Sequence, residues 1–377
     1  MRVLLLHNRY RLTGGEERAV ASARDLLRAR GHEVELLERS SASAGRLRAA
    51  RGIVGGGVDP DEIGAAVRAL GADVVHAHNV HPLFGWRALA AAQAAGARTV
   101  LHLHNYRLVC AVSVAYRDGE RCYECSGRNT LPGLRHRCRD SLAEAVSYAA
   151  GLARQQPKLL EHADRLVAVS GALADKLGEL GIPRRRITVL PNCVSSGMFT
   201  ASSRADVGEY ALVAGRLVPE KGFDTAIEAA RKAGVPLVVA GEGPDTERLQ
   251  RIAAGSHGVR FTGLLSHAEL AGIRARAAIV LIPSLWDEPA PYVALEALAA
   301  GVPVLASDRG GLPELVGSAD AVLAAGDAGA WAAKIGELWR DPAARKSLGD
   351  AGIARARAVY GEDAYYEALM EIYGCEP

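Results

Sequence analysis

Long apolar runs are the first thing this 377-residue chain lacks. Nowhere do eighteen apolar residues stand together, and the opening MRVLLLHN sets one arginine before a four-residue apolar run, too short for a signal-peptide core. A basic amphipathic helix at the N-terminus is also missing, which argues against strong membrane attachment. The expectation is a cytoplasmic protein with at most peripheral membrane contact. Charge of one sign is not in excess: 45 lysines and arginines against 43 aspartates and glutamates leave a formal charge of +2. No broad face for a polyanion is implied, so nucleic acid is not expected as a partner. No Gly-x-Gly-x-x-Gly follows the first apolar run, which disfavours a dinucleotide-dependent oxidoreductase. Low-complexity tracts are absent and 49% of residues are hydrophobic, so the chain reads as globular, with a length that suggests two domains.

What is present is alternation. Apolar, β-prone segments recur at 3–8, 33–38, 73–78, 99–104, 165–170 and 187–190, with Ala- and Leu-rich helical segments between them. Strands alternating with helices predict parallel βαβ units and a sheet covered on both faces. The Ser-, Gly- and Pro-rich stretch LPNCVSSGMFTASSRADVG then interrupts the series, and a second one follows at 210–215, 236–241, 259–263, 278–282, 303–307 and 321–325. The expected fold class is α/β: two doubly wound domains, 1–190 and 209–355, joined by a linker at 191–208. Residues 356–377 have no strand after them and are expected to form a helix crossing back to the N-terminal domain. Ligands of open parallel sheets sit beyond the carboxyl ends of the strands, so two such sheets are expected to face each other across a cleft.

One stretch, SLWDEPAPYVALEALAAG at 284–301, carries the chemistry. Pro291 suits a first helical position, Gly301 a left-handed residue past the end, and Pro303 forbids continuation, which predicts a helix over 291–300. Glu296 is the one carboxylate on that apolar helix, and a buried charge without a partner is costly. Paired hydroxyls, such as the vicinal diol of a ribose, satisfy a carboxylate without a counter-ion. Glu288 lies in the loop before the helix, and the helix amino end offers N–H groups to phosphate. Arg216 and Lys221, in the loop after 210–215, supply two cations for a diphosphate, and SDRGGLPELV adds a second Gly-rich turn into a helix. Singly, each feature has a bland reading: a glutamate reaching a surface, a solvated loop, a structural glycine turn. Their agreement on one sheet edge favours a nucleoside-diphosphate site.

GRLVPEKG, GEGP, FTGLLSHAEL and the Glu-x7-Glu spacing within PSLWDEPAPYVALEALAAGVPVLASDRGGLPELV resemble the retaining nucleotide-sugar glycosyltransferases of the GT-B fold, the large family-four group of the glycogen-synthase-like superfamily. HNRYRLTGGEERAV is similar to that family's first loop. The resemblance implies two Rossmann-like domains facing across a cleft, the first for the acceptor and the second for the donor, with C-terminal helices packing back. It assigns Arg216 and Lys221 to the donor diphosphate, Glu296 to the ribose and Glu288 to the sugar hydroxyls. The backbone around Leu264 is assigned to the nucleobase, and Gly14 and Gly15 to a loop over the phosphates. Where many relatives carry Gly-Phe-Gly, this chain has Pro289-Ala290-Pro291. Pro291 has no N–H to give, so phosphate contacts fall to Tyr292 and Val293, with Ala290 beside them in the donor site.

The implied reaction transfers a sugar with retention, on one face, with the leaving phosphate taking the acceptor's proton. Catalysis then rests on Arg216, Lys221, Glu288 and His104, and no catalytic metal is required. UDP-sugars are the favoured donors and GDP-sugars the second choice; the acceptor is a hydroxyl-bearing glycan, lipid-linked sugar or small natural product. His104 with Asn105 matches the position near the reacting sugar, while His76, His78, Asn79 and Asn105 are expected on the acceptor side, with His81 beside them. The pairs His76/His78 and His102/His104 each share a strand face, which in principle builds a metal site, though hydrogen-bonded cleft histidines are the commoner arrangement. Four cysteines, Cys110, Cys122, Cys125 and Cys138, fall in an insertion at 110–138, a C-x2-C pair with single cysteines eleven and twelve residues away. In a reducing compartment this suggests a structural zinc site; a disulfide-linked loop and thiols without function are the alternatives. Arg135, Arg137 and Arg139 of the insertion suit an anionic acceptor, a membrane surface or simply solvent, and Cys193 and Cys375 read as isolated thiols. Two rivals share the architecture: a nucleotide-sugar epimerase, which would act without an acceptor, and a non-catalytic nucleotide-sugar binding protein. A phosphorylase would need a pyridoxal phosphate lysine and a longer chain.

Overall fold

The computed structural model describes residues 1–9, 14–256 and 258–374. Its first strands, in chain order, are β1 (Arg2–Arg9), β2 (Glu33–Ser40), β3 (Val74–Ala77), β4 (Arg98–Leu103), β5 (Tyr116–Arg117), β6 (Glu120–Arg121), β7 (Arg165–Ala168) and β8 (Ile187–Val189). There follow β9 (Tyr210–Ala214), β10 (Leu237–Ala240), β11 (Val259–Phe261), β12 (Ala277–Ile282), β13 (Val304–Ser307) and β14 (Val322–Leu323). Every apolar segment expected to be a strand is one. The antiparallel pair β5–β6 was not expected, because two-residue strands leave no periodic signal.

The chain divides into two compact units, one of residues 1–115, 122–193 and 363 onward, the other of 116–121 and 194–362. The sheet of the first unit runs β2-β1-β3-β4-β7-β8, and every neighbouring pair in it is parallel. Val3, Leu5, Val74, Val100 and Val167 on one face pack on Val20 and Leu27 of the helix Gly15–Ala29 and on Leu369 and Tyr373 of the helix Glu362–Tyr373. That last helix therefore shares the first unit's core.

The sheet of the second unit runs β11-β10-β9-β12-β13-β14, again parallel throughout. Its central strand β12, AAIVLI, is buried at all six positions, as expected for a sheet covered on both faces. Trp331 and Ile335 of the helix Ala328–Arg340, both fully buried, close one face over Val213, Val239 and Ile279. Each such side chain contributes about 1.5–3 kcal/mol relative to exposure. No described helix is long and apolar enough to cross a membrane.

Both sheets contain a point where strand order reverses. In the second unit the chain moves outward from β9 to β10 and β11, then returns to add β12 on the other side. The loops after β9 and β12 leave in opposite directions and open a crevice at the carboxyl edge. In the first unit the same reversal falls between β1 and β3. The sequence motifs lie in these loops.

Candidate functional site

In the second unit, the loops after β9 and β12 meet over a carboxylate. Lys221, in the loop after β9, places Nζ 2.6 and 2.7 Å from the two carboxylate oxygens of Glu288, in the loop after β12. Ser284 donates its hydroxyl to Glu288 Oε2 at 2.7 Å, and Trp286 donates Nε1–H to the same oxygen at 3.0 Å. Glu288 is 5% exposed, so these donors replace the water it loses. The loop is further pinned by the Leu285 N–H to Glu220 carbonyl bond and by the Gly311 N–H to Glu288 carbonyl bond, both 2.8 Å. Gly310, at φ +55°, admits the close approach: a Cβ there would stand 2.4 Å from the Glu288 carbonyl oxygen. Asp287 accepts from Gly310 N–H at 3.2 Å and pairs with Arg121, of β6, at 3.3 Å.

The helix after this loop runs Tyr292–Ala299, with Pro291 as its cap in extended conformation. The expected first helical proline thus stands one position outside the helix, since its ring fixes φ but not ψ, here 129°. The ladder starts with Ala294 and Leu295 N–H donating to the Pro291 carbonyl, so the Tyr292 and Val293 amides lie upstream of it. Gly301 takes the left-handed conformation expected past the helix end, φ +71°.

The reasoning about Glu296 needs correction. Far from lacking a counter-ion, its carboxylate accepts from Arg274 Nη1 at 2.6 Å, and both side chains are buried. Arg274 sits in the last turn of the helix His267–Ala275, 22 residues upstream, where nothing local announces a partner. It is the main site residue the sequence did not reveal; Ser284 and Trp286 lay within the motif but had no assigned role. Arg216 is exposed beside Leu217, whose N–H and carbonyl tie the loop to Glu242 and Asp245. Leu264 is 75% exposed and Ala290 half-buried.

In the first unit the carboxyl edge of β3 and β4 carries stacked imidazoles. His76 Nδ1 is 2.8 Å from the Tyr373 hydroxyl, His76 Nε2 is 3.2 Å from His102 Nδ1, and His78 Nδ1 is 3.0 Å from His104 Nε2. Ring centroids of His76 and His78 stand 4.4 Å apart, those of His102 and His104 4.3 Å. Burial pushes the His76 and His81 imidazoles down to about 3, and holds His78 and His102 well below the ordinary range. His104, half-buried, is lowered by desolvation and then by neighbouring His7 and His76. These rings are therefore neutral hydrogen-bonding groups. His76, His78 and His102 have ligand atoms within 4.8 Å of one another, the one such group among the described residues.

Asn79 caps the edge, donating to the Asn8 carbonyl at 2.7 Å, and Asn105 donates to Glu16. Gly14 and Gly15 open the helix Gly15–Ala29, but the Gly14 N–H is taken by Glu17 at 2.7 Å, and Glu16 and Glu17 put two carboxylates in its first turn. Thr13, from the same loop motif, lies outside the described residues, as does Cys375. Beyond β1 and β2 a cavity of about 350 Å³ is lined by Arg9, Glu38, Arg39, Ser40, Ser43 and Arg48, among others. Cys110, Cys122, Cys125 and Cys138 are all half-buried.

Comparison with known proteins accounts for this arrangement. Residues 199–355 match the family model described as glycosyl transferases group 1, and residues 14–193 match the glycosyl transferase 4-like domain. The D-inositol 3-phosphate glycosyltransferase of Mycolicibacterium smegmatis is 31% identical over 357 residues, 84% of this chain and 76% of that protein. The chain belongs to the group 1 glycosyltransferase family. The glycogen synthase of Mycobacterium tuberculosis is 32% identical over 231 residues, 57% of this chain, and the chain spans about half of that relative's length, 55%. Among solved structures, Anabaena HepE in complex with UDP shares the GT-B fold with a TM-score of 0.69 at 19% identity, covering 99% of this chain and 100% of that one. In this family's terms, the two matched models fall on the two doubly wound units, one model to each.

Proposed function

We propose that the chain is a retaining glycosyltransferase that takes a sugar from a nucleoside diphosphate, UDP first and GDP second, and passes it to a hydroxyl acceptor. The observation that carries this reading is the Lys221–Glu288 pair at the switch point of the second sheet, where a doubly wound domain binds its ligand. Lys221 and the exposed Arg216 offer cations to the diphosphate. The amides of Tyr292 and Val293, upstream of the helical ladder, suit the same phosphates. Glu288 and Glu296 are assigned to the sugar and ribose hydroxyls, and the backbone around Leu264 to the base. The complexes of HepE with UDP and with UDP-glucose support the choice of uridine. On the first unit, His104 and Asn105 are assigned to the reacting sugar, and His76, His78 and Asn79 to the acceptor side.

In the reaction, the bond from the anomeric carbon to the diphosphate oxygen breaks while a bond to the acceptor oxygen forms on the same face. The acceptor's proton passes to the departing phosphate, so the products are a glycoside and a nucleoside diphosphate. Arg216 and Lys221 stabilise the charge that grows on that phosphate, and Glu288 holds the Lys221 ammonium in place. The half-buried, neutral His104 can orient a hydroxyl without competing for the proton, while the buried His78 holds its ring in place.

A panel of nucleotide sugars screened by thermal stabilisation tests the donor, since a ligand at a hundred times its dissociation constant adds about 2.7 kcal/mol. The anomeric configuration of the product, read by NMR, tests retention. Equilibration of the nucleotide sugar without transfer would point to an epimerase, and donor binding with no turnover on any acceptor to a binding protein.

A further inference from the structure

The excursion between β4 and β7 has too little regular structure to hold itself together. From 106 to 140 it contains only β5, β6 and a five-residue helix, Leu131–Arg135. Four of the five non-glycine residues with positive φ among the described residues lie there: Ser113, Ala115, Asp118 and Arg137. Such conformations persist only when the surroundings over-determine them. Its buried apolar side chains, Tyr106, Leu108, Val109, Ala111 and Ala115, all fall in its first ten residues, so the stretch from 116 to 140 needs a staple of another kind.

The four cysteines gather around one turn. A Cβ built on Gly133 would stand 3.8 Å from Cys125 Sγ and 3.9 Å from the Cβ of Ala111, the neighbour of Cys110. The Gly133 N–H donates to the Thr130 carbonyl at 3.1 Å, and the Gly133 carbonyl accepts the Cys138 N–H at 3.0 Å. The Cys122 N–H is fixed to the Ala115 carbonyl at 2.8 Å. Cys110, Cys122 and Cys138 all lie near enough to Cys125 to act on its sulfur electrostatically. Among the described residues no three of these sulfurs fall within 4.8 Å of one another, so holding a metal would require their side chains to rotate inward. Four thiolates around a divalent ion carry about −2 formal charge, and Arg128, Arg135, Arg137 and Arg139 lie on the same excursion.

We propose that Cys110, Cys122, Cys125 and Cys138 form a structural zinc site that clamps the excursion of the first unit, independently of the transfer reaction. The test uses the full chain purified without chelators. Elemental analysis is expected to find about one equivalent of zinc, released by a thiol-directed mercurial into a chromogenic chelator. Cobalt exchanged into the unmutated protein is expected to show the thiolate charge-transfer band and tetrahedral ligand-field bands, a readout that survives any folding failure of variants. Cys122→Ser and Cys125→Ser are expected to lower bound zinc at least tenfold, while His78→Ala leaves it unchanged. Zinc below about a tenth of an equivalent with all four thiols reacting at once overturns the proposal. So does a native disulfide among them, or a metal that survives both serine variants and is lost in His78→Ala, which would place it on the histidines.

Discussion

The two sheet edges follow one plan and solve opposite problems. The edge of the second unit is built from ion pairs on buried carboxylates, Lys221 with Glu288 and Arg274 with Glu296. The edge of the first is built from imidazoles that burial keeps uncharged. A diphosphate carries charge that only fixed cations stabilise, whereas a hydroxyl acceptor needs donors and acceptors that do not alter its proton. Under the proposed transfer reaction the contrast would fit a division of labour between donor and acceptor, and it can be broken at several points.

The largest expected effect is on stability. Arg274→Ala removes the counter-ion of the buried Glu296 and is expected to cost about 3–5 kcal/mol in urea denaturation. Replacing both partners, Arg274→Met with Glu296→Leu, is expected to recover most of that loss. If Glu296 also holds the ribose, the double variant regains stability without regaining donor affinity. Recovery of both would reduce the pair to a structural one.

Lys221→Ala is expected to lower turnover about 10²–10³-fold, the loss typical of one preorganised donor to a developing charge. Circular dichroism should show the fold retained, because Ser284 and Trp286 still donate to Glu288. Near-unchanged turnover would remove the second unit's edge from the chemistry.

How far these edges were legible depends on the range of each signal. Alternating apolar segments exposed both parallel sheets, since strand and helix periods are local. Strand order was not legible, yet the motifs after 210–215 and 278–282 fell on the two strands flanking the reversal, because function selects those loops. Glu288 was legible from its spacing to Glu296, in a loop between Pro283 and the helix that follows. Its partner Lys221 was visible only as a separate motif, and Arg274 not at all, because a pairing between distant segments leaves no spacing to read. The histidines at 76, 78, 102 and 104 were legible as same-face pairs, but their neutrality follows from burial depth, which alternation alone does not reveal.

That neutrality sets a pH dependence for the first unit. Native His76 and His81 titrate near 3, against an ordinary 6.5, so the unfolded chain takes up protons first as pH falls. Their contribution is fully present above about pH 6.5 and is lost progressively towards pH 3, at about 1.4 kcal/mol per pH unit for each histidine. Denaturation curves at stepped pH should show this slope, and His76→Asn should flatten it by one histidine's share. A flat profile over that window would mean the edge admits protons and water, and the contrast between the units would fail.

The smallest effect separates stability from recognition at a single side chain. Leu264 is 75% exposed, so Leu264→Ala should change folding stability by less than about 0.5 kcal/mol. If a nucleobase lies along this strand end, binding covers part of the side chain, and its removal should cost about 1 kcal/mol of donor affinity. That is roughly a fivefold rise in Kd, read by calorimetry with UDP, against no change for inorganic pyrophosphate, which lacks a base. Equal loss for both ligands would place the effect in the diphosphate loop instead, and no loss for either would leave Leu264 an ordinary exposed leucine, with the base bound elsewhere on the edge.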